Sequence, residues 1–551
     1  MYQLIPLRYF HTLRHLKPQQ FFYRFFYAVK KIKLKKNTTQ QPLRAWHQNN
    51  FFPNIISSAD LKSGYFAWGG ERLNLEDKDI WNDKKRSKLM LYNLHYFDAL
   101  NTSLDPADKP RGVGLTQLIT RWITENPILS GNGWEPYPLS LRIVNWVKYF
   151  SRNPEQIEPN WHASLLLQAR ALRNQLEYHI LGNHLFANAK ALVFVGAYFD
   201  GAEAEKYLFK GLSLLDREIP EQFLQDGGHF ERSPMYHAAL LWDMCDLYYL
   251  SLITDAQTLK ARQKQWEVVI QRGLSWCDAM THPDGDISFF NDATFGVAPK
   301  LDDLKKYAAK LKIKYIKTMQ PMRLLKDTGY CVVEMNQRIK AILNVGEIAP
   351  DYQPGHAHAD TLSFELSIDA TRVIVNSGIS QYGQDETRHA ERSTKAHSTV
   401  CIDEKNASDV WSGFRVGHRA RVFDFKQEET DDAFKVACSH DGYFKQVGKN
   451  IHRRSWCFNQ HGMTVQDSIS GDYLRAEASF YLHPDISIVS NAEKQIILSL
   501  PNRKELVFCL ESDGVLRMEP TLWRPGFGRK EQNNCIVVAF KGNELITRLG
   551  W

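Results

Sequence analysis

The spacing of apolar residues changes near residue 320, and this change constrains the fold more than any other feature of the chain. Between about residues 110 and 320, the runs LSLRIVNWVKYF, HASLLLQARALRNQLEYHIL, HLFANAKALVFVGAYF and HAALLWDMCDLYYLSLI place apolar residues at steps of three and four. That is the spacing of one face of an α-helix. From about 328 onward the apolar residues gather in short runs bounded by Gly, Asn and Asp: YCVVEM, AILNVG, RVIVNSG, STVCID, MTVQDSI, ASFYLHP, QIILSL, LVFCLES and CIVVAF. Closely spaced strands without helices between them predict antiparallel pairing and a sandwich. An all-helical domain followed by an all-β domain is therefore expected, and 551 residues give each part enough chain for its own core. No repeat of fixed period and no low-complexity tract interrupts this plan.

Charge is distributed as unevenly as periodicity. Residues 1–59 contain no Asp or Glu and carry ten Lys or Arg between Arg8 and Arg44, so the net charge of +7 belongs to this leader. It is also rich in Phe and Tyr, a combination that suits the surface of an anionic membrane. The plainer reading is the solvated basic face of a helix docked on the body. A nucleic-acid reading rests on this basic leader alone and is not expected. No apolar run approaches the roughly 20 residues of a membrane span. Arg24 breaks the first apolar run and no small-residue cleavage site follows it, so the expected location is cytoplasmic, at the inner membrane surface. The eight Cys are scattered with no CxxC, which excludes zinc-finger and thioredoxin readings and agrees with a reducing compartment.

Three polar clusters interrupt the helical half. NGWEPYPLSLRIVNW brings Trp134, Glu135, Tyr137, Arg142 and Asn145 to a Pro-bounded helix start, and LGNHLFANAK opens an apolar helix with Asn183 and His184. In DGGHFERSPMYHAALLW, Ser233 reads as an N-cap and Pro234 as the first helical residue, which puts Tyr236 and His237 in the first turn. Helix starts on one rim of a helical domain can line a cleft, and 14 Trp and 23 Tyr supply rings suited to sugars. The β half adds HAHAD (His356, His358, Asp360), Tyr382 in SQYG, and Arg388, Arg392 and His397 in RHAERSTKAHSTV. In an extended segment His356, His358 and Asp360 would share one side, suited to metal binding or proton transfer.

In this order, and on a helical-then-β chain, these motifs resemble the heparinase II/III family of polysaccharide lyases and its alginate-lyase relatives. The resemblance runs from about Tyr92 in LYNLHYF, through the NH and SPMYH segments, to HAHAD and RST..AH. It implies a multidomain chain: a basic segment and lead-in over 1–90, an incomplete (α/α) toroid over 91–322, and an antiparallel β-sandwich over 323–551, with the active site in the groove between them. It also implies β-elimination of a glycosidic bond next to a uronic acid, with an anionic polysaccharide as substrate.

That chemistry asks for specific groups. The C5 proton of a uronate is weakly acidic while the neighbouring carboxylate keeps its charge, so an amide or cation must stabilise the enolate-like intermediate. By resemblance Asn183 and His184 take that task. Tyr236 is assigned as the acid that protonates O4, and as the base in a syn elimination, with His356 the base for a proton on the opposite face. A Tyr with a pKa near about 10 needs positive neighbours to act as a base, for which Arg232, His237 and Arg388 are candidates. Trp134, Tyr137, Arg142, Arg232, His237, Tyr382 and Arg388 form the expected substrate-binding set. The resemblance further implies a structural zinc, whose matching positions here are His358, Asn376 and His397. Asn is a neutral and poorer ligand than the Asp of the family pattern, so zinc stays an open expectation, and no organic cofactor is expected.

Three other readings compete. A uronate C5-epimerase would use the same residues, returning the proton to the other face. A glycoside hydrolase would use two carboxylates such as Glu135 and Asp292. A non-catalytic polysaccharide-binding or assembly protein would keep the groove without the reaction.

Overall fold

The computed structural model describes residues 4–35, 41–47, 52–54, 60–62, 64–102, 114–445 and 448–551; part of the basic leader lies outside them. Two helices, α1 (Leu4–Leu13) and α2 (Pro18–Val29), open the chain, and a three-stranded antiparallel sheet over residues 60–74 follows. The helical domain then runs through α3 (Lys88–Tyr96), α4 (Leu115–Glu125), α5 (Pro136–Arg152), α6 (Pro159–Asn174), α7 (Gly182–Tyr198), α8 (Ala202–Gln222), α9 (Pro234–Ile253), α10 (Gln257–Lys260), α11 (Gln263–Ala279) and α12 (Leu301–Lys310). The first strand of the β part starts at Met322.

Helices α7 and α9 are buried around nearly their whole circumference, as expected of helices with almost no polar face. α7 and α8 meet through two glycines. A Cβ on Gly196 would fall 2.4 Å from the Leu208 nitrogen, and one on Gly211 would fall 2.7 Å from the Ala189 oxygen. Any larger residue there would force these helices apart.

One difference from the periodicity matters for function. HASLLLQARALRNQLEYHIL reads as a single helix, yet α6 ends at Asn174 and the chain turns before α7 begins at Gly182. Leu181 and Gly182 both adopt positive φ, 73° and 56°. The turn swings Glu177 back against α7, where Asn188 bonds both its carboxylate and its backbone N–H.

The β part consists of two antiparallel sheets. The nine-stranded sheet runs from Val515–Gly526 at one edge to Met322–Leu325 at the other, and the eight-stranded sheet from Val422–Glu429 to Ser487–Ala492. Their facing residues, among them Val333, Leu366, Trp456, Phe480 and Ile536, form one buried cluster. Strand Ile451–Asn459 shows the alternation plainly, with His452, Arg454, Trp456 and Phe458 pointing inward. The strands that the apolar runs do not reveal, such as VFDFKQEE over 422–429, turn most of their residues to solvent. Trp276 of α11 packs with Tyr330 and Ile342 of the nine-stranded sheet, joining the helical and β parts.

The two leading helices form an arm docked across that junction. On the β side, Arg8 pairs with both oxygens of Asp409 at 2.7 and 2.8 Å, and the Trp411 indole donates to Thr12. On the helical side, Lys17 pairs with Glu221, the Tyr27 hydroxyl donates to the Leu176 carbonyl, and Tyr23 stacks on Tyr178 at 4.5 Å.

Candidate active site

A cavity of about 770 Å³ lies between the arm, the helical domain and the β part, lined by residues of all three. Of the residues expected to act, Asn183, His184, Tyr236, His356, Tyr137 and Tyr382 reach its wall.

Tyr236 is placed by the start of α9. Ser233 caps the helix by accepting from the Tyr236 N–H at 3.2 Å, and its own hydroxyl donates to the Asp292 carbonyl at 2.6 Å. With Pro234 at the first helical position, the phenol is directed into the cavity. Its hydroxyl lies 3.0 Å from that of Tyr382, and its ring stacks on His356 with centroids 4.0 Å apart. Burial above all, with Tyr382 next, pushes the Tyr236 phenol well above its ordinary range. The hydroxyl therefore stays protonated at neutral pH, which suits a proton donor.

His356 owes its orientation to Asp292, a fully buried carboxylate. Asp292 Oδ2 faces His356 Nδ1 at 2.8 Å, Oδ1 faces His358 Nε2 at 2.8 Å, and the Arg388 guanidinium clasps both oxygens, Nη2 at 2.7 Å. Burial works against the charge of Asp292, but Arg388 and the two imidazoles outweigh it and hold the carboxyl well below its usual range. An ionised carboxylate only accepts, so each ring nitrogen facing it carries the proton. In its neutral form His356 thereby leaves Nε2 bare, the nitrogen a base needs. That nitrogen lies 3.7 Å from Glu231, and the side chain is 12% exposed.

Asn183 and His184 occupy the first turn of α7. The Asn183 amide donates to Glu231 at 2.9 Å, and His184 Nδ1 meets Glu177 at 2.9 Å. Burial draws the His184 imidazole down, but Glu177 reverses this and the net shift is upward, so the ring holds its proton to higher pH than a free histidine. Its ring lies 4.4 Å from Tyr137. Burial raises the Glu231 carboxyl against the opposing pull of His356 and Asn183. Glu231, Glu177 and the hub role of Asp292 were not apparent from the sequence. Deeper in the cavity wall, Asp246 accepts from Lys148 and Lys190, each at 2.6 Å, and Lys190 also pairs with Asp243.

Five expected substrate contacts lie behind the wall. Arg142 is fully buried, donating to the Gly133 carbonyl at 2.7 Å and Gln168 at 2.9 Å, with its guanidinium 3.8 Å from the Trp122 ring. It closes the helix core, sharing a face with buried Leu139 and Trp146 one turn away on either side. Trp134 packs beside it against Trp122 at 5.6 Å. His237 donates to the Gly273 carbonyl at 2.9 Å, and burial draws its imidazole down to about 4, so it stays neutral. Arg232 turns to the carbonyls of Glu347 and Asp327. Arg388 sits beneath Tyr382, 5.0 Å from its ring, committed to Asp292. The positive neighbours that would make Tyr236 a base are thus absent from its contacts among the described residues.

The expected zinc ligands lie close together but are used otherwise. With Nε2–H given to Asp292, His358 accepts at Nδ1 from His397 Nε2 at 3.2 Å. The Asn376 amide donates to the Phe289 carbonyl at 2.9 Å, and its oxygen accepts from the Ser398 N–H at 3.2 Å. Asp360 does not join them: Asn344 donates to its backbone carbonyl at 3.3 Å, its Oδ2 is buried without a hydrogen-bond partner, and burial pushes the carboxyl up to about 7. Of the three expected ligands, only His358 Nδ1 and His397 Nε2 face each other, while the Asn376 oxygen is engaged by the Ser398 N–H. Among the described residues no group of three or more His, Cys, Asp or Glu could hold a metal. Asp292 is also unsuited to the hydrolase reading, being buried and fully paired, while Glu135 is held by Tyr92 and Lys88.

Sequence comparison agrees with this geometry. The Heparinase II/III N-terminus family matches residues 116–315, and the Heparinase II/III-like C-terminal family matches 317–551. A heparin-sulfate lyase of Pedobacter heparinus is 26% identical over 318 residues, 52% of this chain and 47% of its own length. One of Bacteroides stercoris is 26% identical over 358 residues, 55% of this chain and 52% of its own. The chain thus spans about half the length of the curated relatives it matches. Among solved structures, heparinase III superposes with a TM-score of 0.67 at 18% identity, covering 85% of this chain and 78% of that one. Heparan sulfate lyase HepC from Pedobacter heparinus gives 0.56 at 17%, covering 89% and 81%. By both its helical and its β part, the chain belongs to the heparinase II/III family.

Proposed function

We propose that this protein is a polysaccharide lyase that cleaves a uronic-acid-containing polysaccharide by β-elimination. The observation that carries the reading is the stacked pair of Tyr236 and His356 in the cavity wall, one a part-buried phenol that keeps its proton, the other an imidazole whose Nδ1 is held by Asp292, leaving Nε2 free to face the substrate. Related heparin-sulfate lyases support it.

In this reading the uronate carboxylate lies against His184 and Asn183, where the His184 charge offsets the negative charge that builds up as C5 loses its proton. His356 Nε2 takes the C5 proton. The electron pair left on C5 forms the C4–C5 double bond, the C4–O4 bond breaks, and O4 leaves with the proton of the Tyr236 hydroxyl. Solvent then takes the proton from His356 and returns one to the phenolate, which restores both groups. One unsaturated uronate and one free hydroxyl result. Tyr236 acts here as acid only, which narrows the dual role expected of it.

The test is ultraviolet absorbance of the C4–C5 unsaturated uronate across heparan-, alginate- and capsule-type polymers. Tyr236→Phe should lower the rate by about 10²–10⁴-fold with the fold intact by circular dichroism. Exchange of the C5 proton with heavy water and no absorbance would instead identify an epimerase. Tight binding with neither would identify an assembly protein.

We further propose that the outward side of the arm rests on an anionic membrane. Phe21, Phe25 and Val29 follow one another by single turns of α2 with Phe22 alongside, Phe25 being 71% exposed, while Leu7 and Phe10 are exposed on α1. Arg14, Lys31, Lys33 and Lys35 surround them, with no acid in the segment. No described helix is long and apolar enough to cross a membrane.

A further inference from the structure

One wall of the cavity is built by the arm and by the hairpin Val410–Trp411/Arg415–Val416. Thr12, Leu13, Leu16, Gln20 and Arg24 come from the arm, and Phe414, Arg415, Val416 and Arg419 from the hairpin and its flank. The cations around this wall are mostly neutralised in pairs: Arg8 by Asp409, Lys17 by Glu221, Arg419 by Asp351 at 2.6 Å, and Arg421 by Glu347 at 2.5 Å. Arg24 and Arg415 differ. Neither is within salt-bridge distance of a carboxylate among the described residues, although both line the cavity. Burial first, and Arg415 second, draws the Arg24 guanidinium below its ordinary value, so each sits within the other's field.

Like charges on long side chains swing apart unless something holds them. Here Arg415 lies over the Trp411 ring at 5.1 Å, while Tyr23 and Tyr27, bound to Tyr178 and the Leu176 carbonyl, fix the stretch of α2 that carries Arg24. Two exposed guanidiniums on the same side of the groove, neither with a counter-charge among the described residues, form a ready partner for an oxyanion, which each can grip with two parallel N–H bonds.

We propose that Arg24 and Arg415 form an anion subsite on the arm side of the groove, taking a carboxylate or sulfate carried by a sugar away from the cleaved bond. This rests on the lyase reading for the identity of the polymer but not for the binding itself. Arg24 lies outside both family-matched regions, so the subsite joins a residue peculiar to the arm with one from the β domain.

The test uses the full chain carrying Tyr236→Phe, so that binding is read without turnover. Isothermal titration with a heparin-derived tetrasaccharide and with its unsulfated heparosan counterpart should show R24Q and R415Q each weakening binding about ten- to hundredfold, with a shallower salt dependence. A loss confined to the sulfated probe assigns a sulfate, and a loss with both assigns the carboxylate. Thermal stability separates this from a structural role: relief of the repulsion leaves Tm unchanged or raised, whereas a fall in Tm equal in both variants would overturn the proposal. So would affinity unchanged in both. If binding falls while the parent enzyme turns over no polymer, the subsite stands and the lyase reading falls. In an active parent, R24Q should raise KM and leave kcat nearly unchanged.

Discussion

Asp292 touches more of the site than any other side chain, and its effect is on proton placement. With His356, His358 and Arg388 all bonded to one carboxylate, the protons on both rings are fixed. Asp292→Asn presents an N–H₂ group to one of those rings and leaves Arg388 buried without its counter-charge. We expect kcat to fall about 10²–10⁴-fold and stability to fall by about 3–5 kcal/mol, read by turnover below the melting range and by thermal unfolding. Full activity in the folded variant would show that the tautomer of His356 does not matter. This hub was hidden in the sequence because it stands in FFNDATFG, which has no period, and its partners lie 64 and 96 positions away. Tyr236 was legible for the opposite reason, since Ser233 and Pro234 fix its position locally. Arg142 misled because a charged residue in a polar cluster reads as a binding group, although its helical position places it with the buried face.

At the level of elements, helix starts line the candidate site: α7 presents Asn183 and His184, and α9 presents Tyr236. The change of periodicity near residue 320 showed which elements exist, but it could not show that α6 stops short of Glu177, because the apolar pattern continues through the turn. Nor could it show the solvent-facing edge strands, whose residues are mostly polar. The arm's two sides make a separate prediction. Phe22→Asp with Phe25→Asp should abolish co-sedimentation with vesicles of phosphatidylcholine and phosphatidylglycerol while leaving the fold unchanged, and wild type should not sediment with phosphatidylcholine alone. Release of the wild type as a dimer with no vesicle binding would assign the patch to a second copy instead.

For the whole molecule, the groups of the proposed reaction come from both large parts, Tyr236 from the helical one and His356 from the β one, with Asp292 joining them. Buried charge also stabilises the sandwich itself: Arg454 and His452 both bond Asp467, Arg454 Nε at 2.7 Å. Burial opposes the charge of Asp467, yet Arg454 and His452 draw its carboxyl down to about 2. A depressed carboxylate adds stability that is complete above its unfolded value of about 4 and is lost as pH falls through the folded one. Acid unfolding should therefore steepen between about pH 4 and pH 2, and Asp467→Asn should remove that steepening while lowering stability at pH 7 by about 3–5 kcal/mol. An unchanged acid limb would show that the pair contributes nothing across this range.

On the proposed reaction, the docking of the arm bears on how such a lyase can diversify. Its residues wall the groove, yet they belong to a short leading stretch of chain, while the reacting groups are embedded in the two large cores, where substitutions are costly. Selection for a new polymer can therefore act on the arm and leave the reaction untouched. Exchanging arms between relatives would be the corresponding experiment in the laboratory, transplanting preference without rebuilding the catalyst.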